Sequence, residues 1–128
     1  HSGCFASTLA CPFPPSINPD YPAAVKAILA DAIDAERRIF RARDFSRTPP
    51  PGSPPSALFL HVGAYAYSRE SLRRFVAAPH GVREQSESLE QLRIIEMGET
   101  FAVRVVEKAA RGIDTQQDLD AARLRFGC

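Results

Sequence analysis

The sequence lacks the features that mark several classes of protein. Its longest apolar run, residues 57–67, is broken by His61 and Gly63 and is far shorter than the roughly 20 residues that cross a bilayer, so no membrane-spanning helix is expected. Its seven glycines form no glycine-rich phosphate loop. Sixteen basic and fifteen acidic residues leave a net charge of +1, which provides no electrostatic basis for binding nucleic acid or an anionic membrane.

Cysteine is scarce as well. Cys4, Cys11 and Cys128 are odd in number and include no Cys-x-x-Cys pair, so they predict neither a disulfide framework nor a zinc site. This pattern is typical of a protein of the reducing cytoplasm. The N-terminus has no basic stretch before its apolar residues, which argues against a signal peptide. The chain starts at His1, and an apolar run follows almost at once. We therefore expect that the sequence begins in the middle of a fold.

What is present is an ordinary composition, 45% apolar and 24% charged, which predicts one compact unit over residues 1–128. Apolar runs rich in β-branched and aromatic residues predict strands, and capped amphipathic segments predict helices. Strands are expected at residues 5–11, 58–67 and 101–106. Helices are expected at residues 69–77 after a Ser68 cap, from Ser86 or Ser88 to Gly98, and from Thr115 onward with Leu119, Ala122 and Phe126 inward.

Strands that alternate with short helices indicate an α/β layered fold with a mixed, mostly parallel sheet. The alternative is a small α+β domain with an antiparallel meander, because the first 60 residues contain no convincing crossover helix. Residues 48–56 hold five prolines in nine positions, which predicts a stiff loop; a polyproline ligand for a signalling module is the rival interpretation. Residues 23–40 have the apolar spacing of a helix.

The first candidate functional group lies on the strand predicted at residues 58–67. A histidine there is more often structural than catalytic, but His61 is followed by Gly63, and a glycine inside a strand leaves room for a ligand or a backbone to come close. Tyr65 is four residues beyond His61 and therefore on the same face of the strand. An imidazole and a phenol can both donate and accept hydrogen bonds, which suits a polyhydroxylated ligand.

The second candidate group is Glu90 and Gln91, predicted to be adjacent on a helix and about 100° apart around its axis. Neither belongs to the stripe formed by Leu89, Leu92 and Ile95, so a solvated helix edge is the simpler interpretation. The functional interpretation is that the first turn of this helix faces a sugar.

Two single residues complete the candidates. Asp114 precedes the helix cap Thr115, where it could favour the positive end of the helix or hold Mg²⁺ against a triphosphate, which needs hard oxygen ligands. No second metal ligand is obvious in the sequence. Arg47, just before the proline-rich loop, has the planar guanidinium that binds carboxylates well.

Four segments occur in the order and spacing of one enzyme family. They are Phe45-Ser46-Arg47, His61-Val62-Gly63-Ala64-Tyr65-Ala66-Tyr67, residues 87–93 (Glu-Ser-Leu-Glu-Gln-Leu-Arg), and residues 112–119, which contain Asp114-Thr115 and Asp118-Leu119. The set resembles the C-terminal half of the sugar-activating cytidylyltransferases, above all the 3-deoxy-manno-octulosonate (Kdo) cytidylyltransferases, also called CMP-Kdo synthetases. The resemblance extends from about Leu9 to Arg123.

The resemblance implies a function and roles. Members transfer CMP from CTP to the anomeric hydroxyl of Kdo for lipopolysaccharide biosynthesis, with Mg²⁺, as cytoplasmic homodimers. By resemblance, Arg47, His61, Tyr65, Glu90 and Gln91 would line the Kdo pocket and Asp114 would be the catalytic metal ligand. The family also implies an incomplete fold of the nucleotide-diphospho-sugar transferase type, with residues 1–128 as its sugar-binding and dimerisation half and the nucleotide-binding half absent. It further implies strands, rather than a helix, at residues 25–30 and 38–42.

Two other functions remain open. A cytidylyltransferase for sialic acid or a related keto acid would need the same kinds of residues. A non-catalytic module that binds a sugar acid or mediates dimerisation would explain why no phosphate loop is present.

Overall fold

The computed structural model describes residues 3–110 and 112–127. Within them, five strands close into a barrel in the order β1-β4-β2-β3-β5. The strands are β1 (Ala6–Pro12), β2 (Lys26–Asp34), β3 (Ile39–Ser46), β4 (Phe59–Tyr67) and β5 (Phe101–Val105). Four helices accompany them in this described part, α1 (Arg69–Ala77), α2 (Val82–Glu87), α3 (Leu92–Glu96) and α4 (Gln116–Phe126), together with a 3₁₀ turn at Pro55–Ala57.

The sheet is mixed, as predicted, but the expectation that it is mostly parallel is wrong. Only β1 and β5 pair in parallel, whereas β1–β4, β2–β3, β2–β4 and β3–β5 are antiparallel. The reason lies in the connections, because parallel neighbours need a long crossover and antiparallel neighbours do not. A tight turn at residues 35–38, with Arg38 in the left-handed conformation (φ 55°), joins β2 to β3.

The segment with helical spacing is two strands, as the family resemblance implies. β2 and β3 lie side by side with register shifts near Ile28, Leu29 and Ala32. Ala27 is fully buried in the barrel. Pairing with neighbours on both sides therefore overrides the helix propensity of this alanine-rich segment.

Two predicted helix starts are confirmed. The Ser68 hydroxyl accepts the Ser71 backbone N–H at 3.0 Å and caps α1. Thr115 and Asp118 form a reciprocal capping box at the start of α4. α4 does not pack inward as predicted, because Phe126 is 73% exposed and Leu119 and Ala122 are only half-buried.

The helix predicted from Ser86 or Ser88 is wrong in its bounds. The chain forms two short helices instead, and Ser88 ends the first of them in the left-handed conformation (φ 52°). The carboxylate that caps α2 is that of Glu84, which accepts the Gly81 N–H at 3.1 Å. Leu89 and Leu92 are nevertheless buried as predicted, and Gly98 (φ 72°) follows the end of α3.

The core joins the barrel interior to α3. Phe45, Phe101 and Val103 are fully buried inside the barrel. Leu92 and Ile94 of α3 are also fully buried and belong to the same cluster. This packing places the turn that leads into α3 against the barrel. No helix in the described ranges is long and apolar enough to cross a membrane.

A buried ion pair holds the helices together. The Arg93 guanidinium binds both carboxylate oxygens of Glu84, from Nε at 2.8 Å and from Nη2 at 2.5 Å. It also donates to the Phe75 carbonyl at 3.1 Å and lies 4.3 Å from the Phe75 ring centroid. The hydrogen bonds from Arg93 hold the pKa of Glu84 below its usual range. One side chain of α3 therefore connects α1 and α2.

Glu84→Gln is expected to lower the free energy of unfolding by about 3 kcal/mol, because Arg93 would keep its charge without a carboxylate in a buried setting. Urea denaturation at neutral pH measures the loss. The difference from wild type should shrink below a pH of about 4.3, because the carboxylate stabilises the fold only while it is ionised. Glu87→Gln is the control, since its half-exposed pair with Arg83 at 3.3 Å contributes less than about 1 kcal/mol; equal losses would contradict the prediction.

Candidate functional site

The site is built around a bulge of two extra residues in β4. Thr8 of β1 faces Tyr65, while the next residue, Leu9, faces Val62. Gly63 and Ala64 are therefore extra residues on β4. The bulge is held from β1, because the Thr8 hydroxyl lies 2.8 Å from the Ala64 carbonyl and 3.1 Å from that of Val62. A Cβ added at Gly63 would meet no atom within 4 Å, so this glycine borders open space.

His61 lies at the centre of the candidate site. Its Nε2 lies 2.9 Å from the Thr8 hydroxyl and its Nδ1 lies 3.5 Å from the side-chain nitrogen of Gln91. The ring packs edge-on against Phe45, with 4.9 Å between centroids. Burial lowers the pKa of the imidazole from 6.5 to about 4. His61 is therefore neutral at physiological pH and not a cation that would bind a carboxylate.

Tyr65 lies beside His61, with 5.6 Å between ring centroids, and stacks on Phe101 at 6.4 Å. Burial, with a smaller contribution from the charge of Glu90, raises its pKa, so the phenol keeps its proton. No side chain or backbone group in the described residues hydrogen-bonds its hydroxyl. The hydroxyl is thus available to a ligand as both donor and acceptor.

Tyr67 belongs to the same group and was not among the predicted site residues. Its ring lies 6.4 Å from that of Tyr65 and 5.5 Å from that of Phe75. Burial and the charge of Glu90 raise its pKa as well. Period-two alternation along β4, which places Tyr65 and Tyr67 on one face, is the sequence signal that could have found it.

Glu90 and Gln91 lie in the turn before α3 rather than on a helix as predicted. Gln91 is 2% exposed, so the interpretation of this pair as a solvated helix edge is wrong for Gln91. Glu90 is exposed, and its charge acts on the Tyr65 phenol. The turn therefore presents a buried carboxamide and a nearby carboxylate to one region.

Arg47 binds the end of α2, just before that turn. Its guanidinium donates to the carbonyls of Glu87 at 2.7 Å, Ser88 at 3.1 Å and Pro22 at 3.2 Å. Three of its five N–H groups are thus used within the protein, and two remain. Arg47 also receives a hydrogen bond, because the fully buried ammonium of Lys26 donates to its carbonyl at 2.5 Å and to that of Tyr21 at 2.9 Å. Burial lowers the pKa of Lys26.

Asp114 lies apart from these residues. It is exposed, and its backbone N–H donates to the Asp118 carboxylate at 3.2 Å. No contact joins it to His61, Tyr65 or Gln91 within the part of the chain that is described. The described residues also contain no cluster of three or more potential metal ligands. A single exposed carboxylate has the hard oxygen chemistry that Mg²⁺ prefers, and Mg²⁺ often uses one or two carboxylates together with substrate phosphates.

A groove of about 390 Å³ crosses β1, β3, β4 and β5. Its lining includes Tyr65 but otherwise consists mostly of small and apolar side chains, and Arg104 is its one charged residue as far as the structure describes the chain. It includes neither His61 nor Gln91. A polyhydroxylated ligand needs several polar partners, so the turn before α3 is the better candidate.

Comparisons with known proteins show what the chain is similar to. No family model matches the sequence. The 3-deoxy-manno-octulosonate cytidylyltransferase of Rhodospirillum centenum is 48% identical over 103 residues, which are 80% of this chain and 38% of that protein. That of Parvibaculum lavamentivorans is 42% identical over 122 residues, 94% of this chain and 45% of that protein. This chain is a relative of the 3-deoxy-manno-octulosonate cytidylyltransferases.

A solved Kdo cytidylyltransferase has the same α/β fold. The structure of CMP:2-keto-3-deoxy-manno-octonic acid synthetase complexed with CTP superimposes with a TM-score of 0.79 and 30% identity. The superposition covers 97% of this chain and 49% of that one. The chain also spans only about two fifths of the length of the curated relatives named above. The relationship therefore concerns one part of a Kdo cytidylyltransferase.

The structure brings together most of the residues that the resemblance to Kdo cytidylyltransferases nominated. His61, Tyr65 and Gln91 form one contacting group, Glu90 adjoins Gln91, and Arg47 binds the end of α2 just before the turn that carries both. Asp114 is the exception. Strand register and the α3 packing position the first group, whereas Asp114 lies on a segment outside the barrel.

Because His61 is neutral when folded, stability should fall as the pH decreases from about 6.5 to about 4, where the unfolded chain takes up a proton that the folded protein does not. The linked loss is on the order of 3 kcal/mol. His61→Gln should remove this part of the pH dependence, which urea denaturation at pH 7 and pH 5 measures. An NMR titration of the His61 ring with a midpoint at 6 or above would contradict the assignment.

Proposed function

We propose that this chain forms the sugar-acid side of a Kdo cytidylyltransferase, which transfers CMP from CTP to the anomeric hydroxyl of Kdo for lipopolysaccharide biosynthesis in the cytoplasm. The observation that supports it most is the convergence of His61, Tyr65 and Gln91 beside Glu90. The Tyr65 hydroxyl, the Glu90 carboxylate and the Gln91 carbonyl oxygen are all acceptors. Such a set suits the hydroxyl groups of a sugar.

Arg47 is proposed to bind the carboxylate of the sugar acid. Its two remaining N–H groups provide the donors, and a guanidinium pairs well with a carboxylate. Because the same side chain holds the carbonyls of Glu87 and Ser88, a bound carboxylate would be coupled directly to the turn that presents Glu90 and Gln91. Orientation of the sugar hydroxyl toward the nucleotide is then the main contribution of these residues.

Asp114 is proposed as a magnesium ligand. When bound, the metal would neutralise phosphate charge and polarise the phosphoryl oxygens. The exposed Asp114 carboxylate leaves room for phosphate oxygens, water and a second protein ligand. We propose that the nucleotide-binding portion, with its phosphate loop, belongs to another part of the protein, and that residues 1–128 correspond to the C-terminal half of a transferase of the nucleotide-diphospho-sugar type that acts as a homodimer.

The relatives named above are Kdo enzymes, which favours Kdo over sialic acid as the ligand. Calorimetric titration of the chain with Kdo and with sialic acid should show binding of Kdo. Gln91→Leu should weaken Kdo binding by roughly tenfold or more, because a sugar hydroxyl would lose its partner in a desolvated site. Gln85→Leu, on the exposed side of α2, is the control. Equal affinity for both sugars, or no effect of Gln91→Leu, would refute the proposal.

A chimeric enzyme tests turnover. The 122 matched residues of the Parvibaculum lavamentivorans enzyme are replaced by those of this chain, and CMP-Kdo formation is measured with CTP and Mg²⁺. Asp114→Asn in this chimera should lower kcat by roughly tenfold or more while changing Kdo affinity less than about twofold, since the carboxylate acts on the phosphates and not on the sugar. Asp120→Asn on α4 is the control. An active Asp114→Asn chimera would refute the metal role, and an inactive parent chimera that still binds Kdo would indicate a binding module.

A further inference from the structure

A second layer of residues lies behind Gln91. Thr8 is 3% exposed, and its hydroxyl oxygen has three partners within hydrogen-bond distance. They are the carbonyls of Ala64 at 2.8 Å and Val62 at 3.1 Å, and His61 Nε2 at 2.9 Å. On its other side, His61 Nδ1 faces the Gln91 amide nitrogen at 3.5 Å. Thr8, His61 and Gln91 thus form a series of hydrogen bonds that leads from the β4 bulge to the candidate site.

Counting protons shows which atom donates in each of these hydrogen bonds. The Thr8 hydroxyl has one proton, and the two carbonyls are acceptors only. The Ala64 carbonyl oxygen lies 2.8 Å from the hydroxyl oxygen, a distance at which two oxygens repel unless a proton lies between them. The hydroxyl therefore donates to the bulge and must accept from the imidazole. His61 then carries its proton on Nε2.

The same argument continues to Gln91. With Nε2 protonated in a neutral ring, Nδ1 is an acceptor, so it is the amide nitrogen of Gln91 that turns toward it. The amide oxygen of Gln91 is thereby directed away from His61. Both nitrogens of His61 are occupied within the protein, so its effect on a ligand is exerted through Gln91.

We propose that Thr8 is a positioning residue, which sets the Nε2–H tautomer of His61 and, through it, the orientation of the Gln91 carboxamide. Resting on the function proposed above, this arrangement presents an acceptor oxygen to the ligand and selects a sugar hydroxyl that donates at that position. One determinant of specificity is thus a buried hydroxyl that acts through His61 and Gln91.

The test compares wild type with Thr8→Val, which removes the hydroxyl at nearly constant shape, and Thr8→Ser, which retains it. In ¹⁵N NMR spectra of the wild-type ring we expect a protonated Nε2 and an unprotonated Nδ1, together with a Gln91 side-chain amide proton shifted by its bond to Nδ1. In Thr8→Val the ¹⁵N chemical shifts of the two ring nitrogens should become more similar. The Gln91 amide proton should lose the shift that its bond to Nδ1 causes. Thr8→Ser should restore both.

The spectra decide the positioning role without any ligand. A wild-type ring protonated on Nδ1, or a Thr8→Val spectrum unchanged at His61 and Gln91, would overturn the proposal. If Thr8→Val fails to fold, the wild-type tautomer and the Thr8→Ser spectrum still decide it.

Kdo titration then tests the consequence for the ligand. Thr8→Val should weaken Kdo binding by roughly threefold to tenfold, as expected for one misoriented hydrogen bond, and Thr8→Ser should bind as wild type does. Unchanged Kdo affinity in a Thr8→Val variant with an altered tautomer would overturn the link to specificity while leaving the proposed function intact. A wild-type chain that shows the expected tautomer but binds no Kdo would instead count against the proposed function.

Discussion

The buried bidentate pair between Arg93 and Glu84 is the constraint on which the candidate site depends. α2 and α3 are short helices that would not be stable as isolated helices. The pair binds them to each other, and the contacts of Arg93 with Phe75 add α1. Because Gln91 lies in the turn at the start of α3, fixing α3 on the barrel also fixes the carboxamide above His61. Removing either charge would leave the other buried without its partner, so the pair is costly to break.

Two further cationic side chains support the segments around the site. Lys26 and Arg47 donate to backbone carbonyls, and these lie in segments outside the strands. β2 and β4 pair at only two positions, through Lys26 and Ala27. Backbone carbonyls outside the strand pairing need other donors, from side chains or water. The ammonium and the guanidinium provide them, and Arg47 retains two N–H groups for a ligand.

The relationship to Kdo cytidylyltransferases covers about two fifths of those proteins, yet the described part of the chain forms a closed structure. β1 pairs with β5 in parallel and with β4 antiparallel, so the barrel leaves no open sheet edge in the described ranges, which removes one source of aggregation. The residues proposed to bind the sugar acid lie on this closed unit or pack against it. Asp114 lies just before α4, a helix with no buried residue, so the proposed metal ligand and the proposed sugar site belong to differently supported parts of the chain.

Local chemistry in the sequence was sufficient for the strands around residues 6–12 and 59–67, for the caps at Ser68 and Thr115, and for the shared face of His61 and Tyr65, because each depends on residues close together along the chain. The tertiary structure alone decided the antiparallel pairing, the left-handed break at Ser88 and the burial of Gln91, and it overrode the helical spacing of residues 26–34, where only the family resemblance indicated strands. These features depend on contacts between residues far apart in the sequence, such as Gln91 with His61 and Thr8 with His61. Side-chain patterns report which face of an element is buried, but they do not report which partner will meet it.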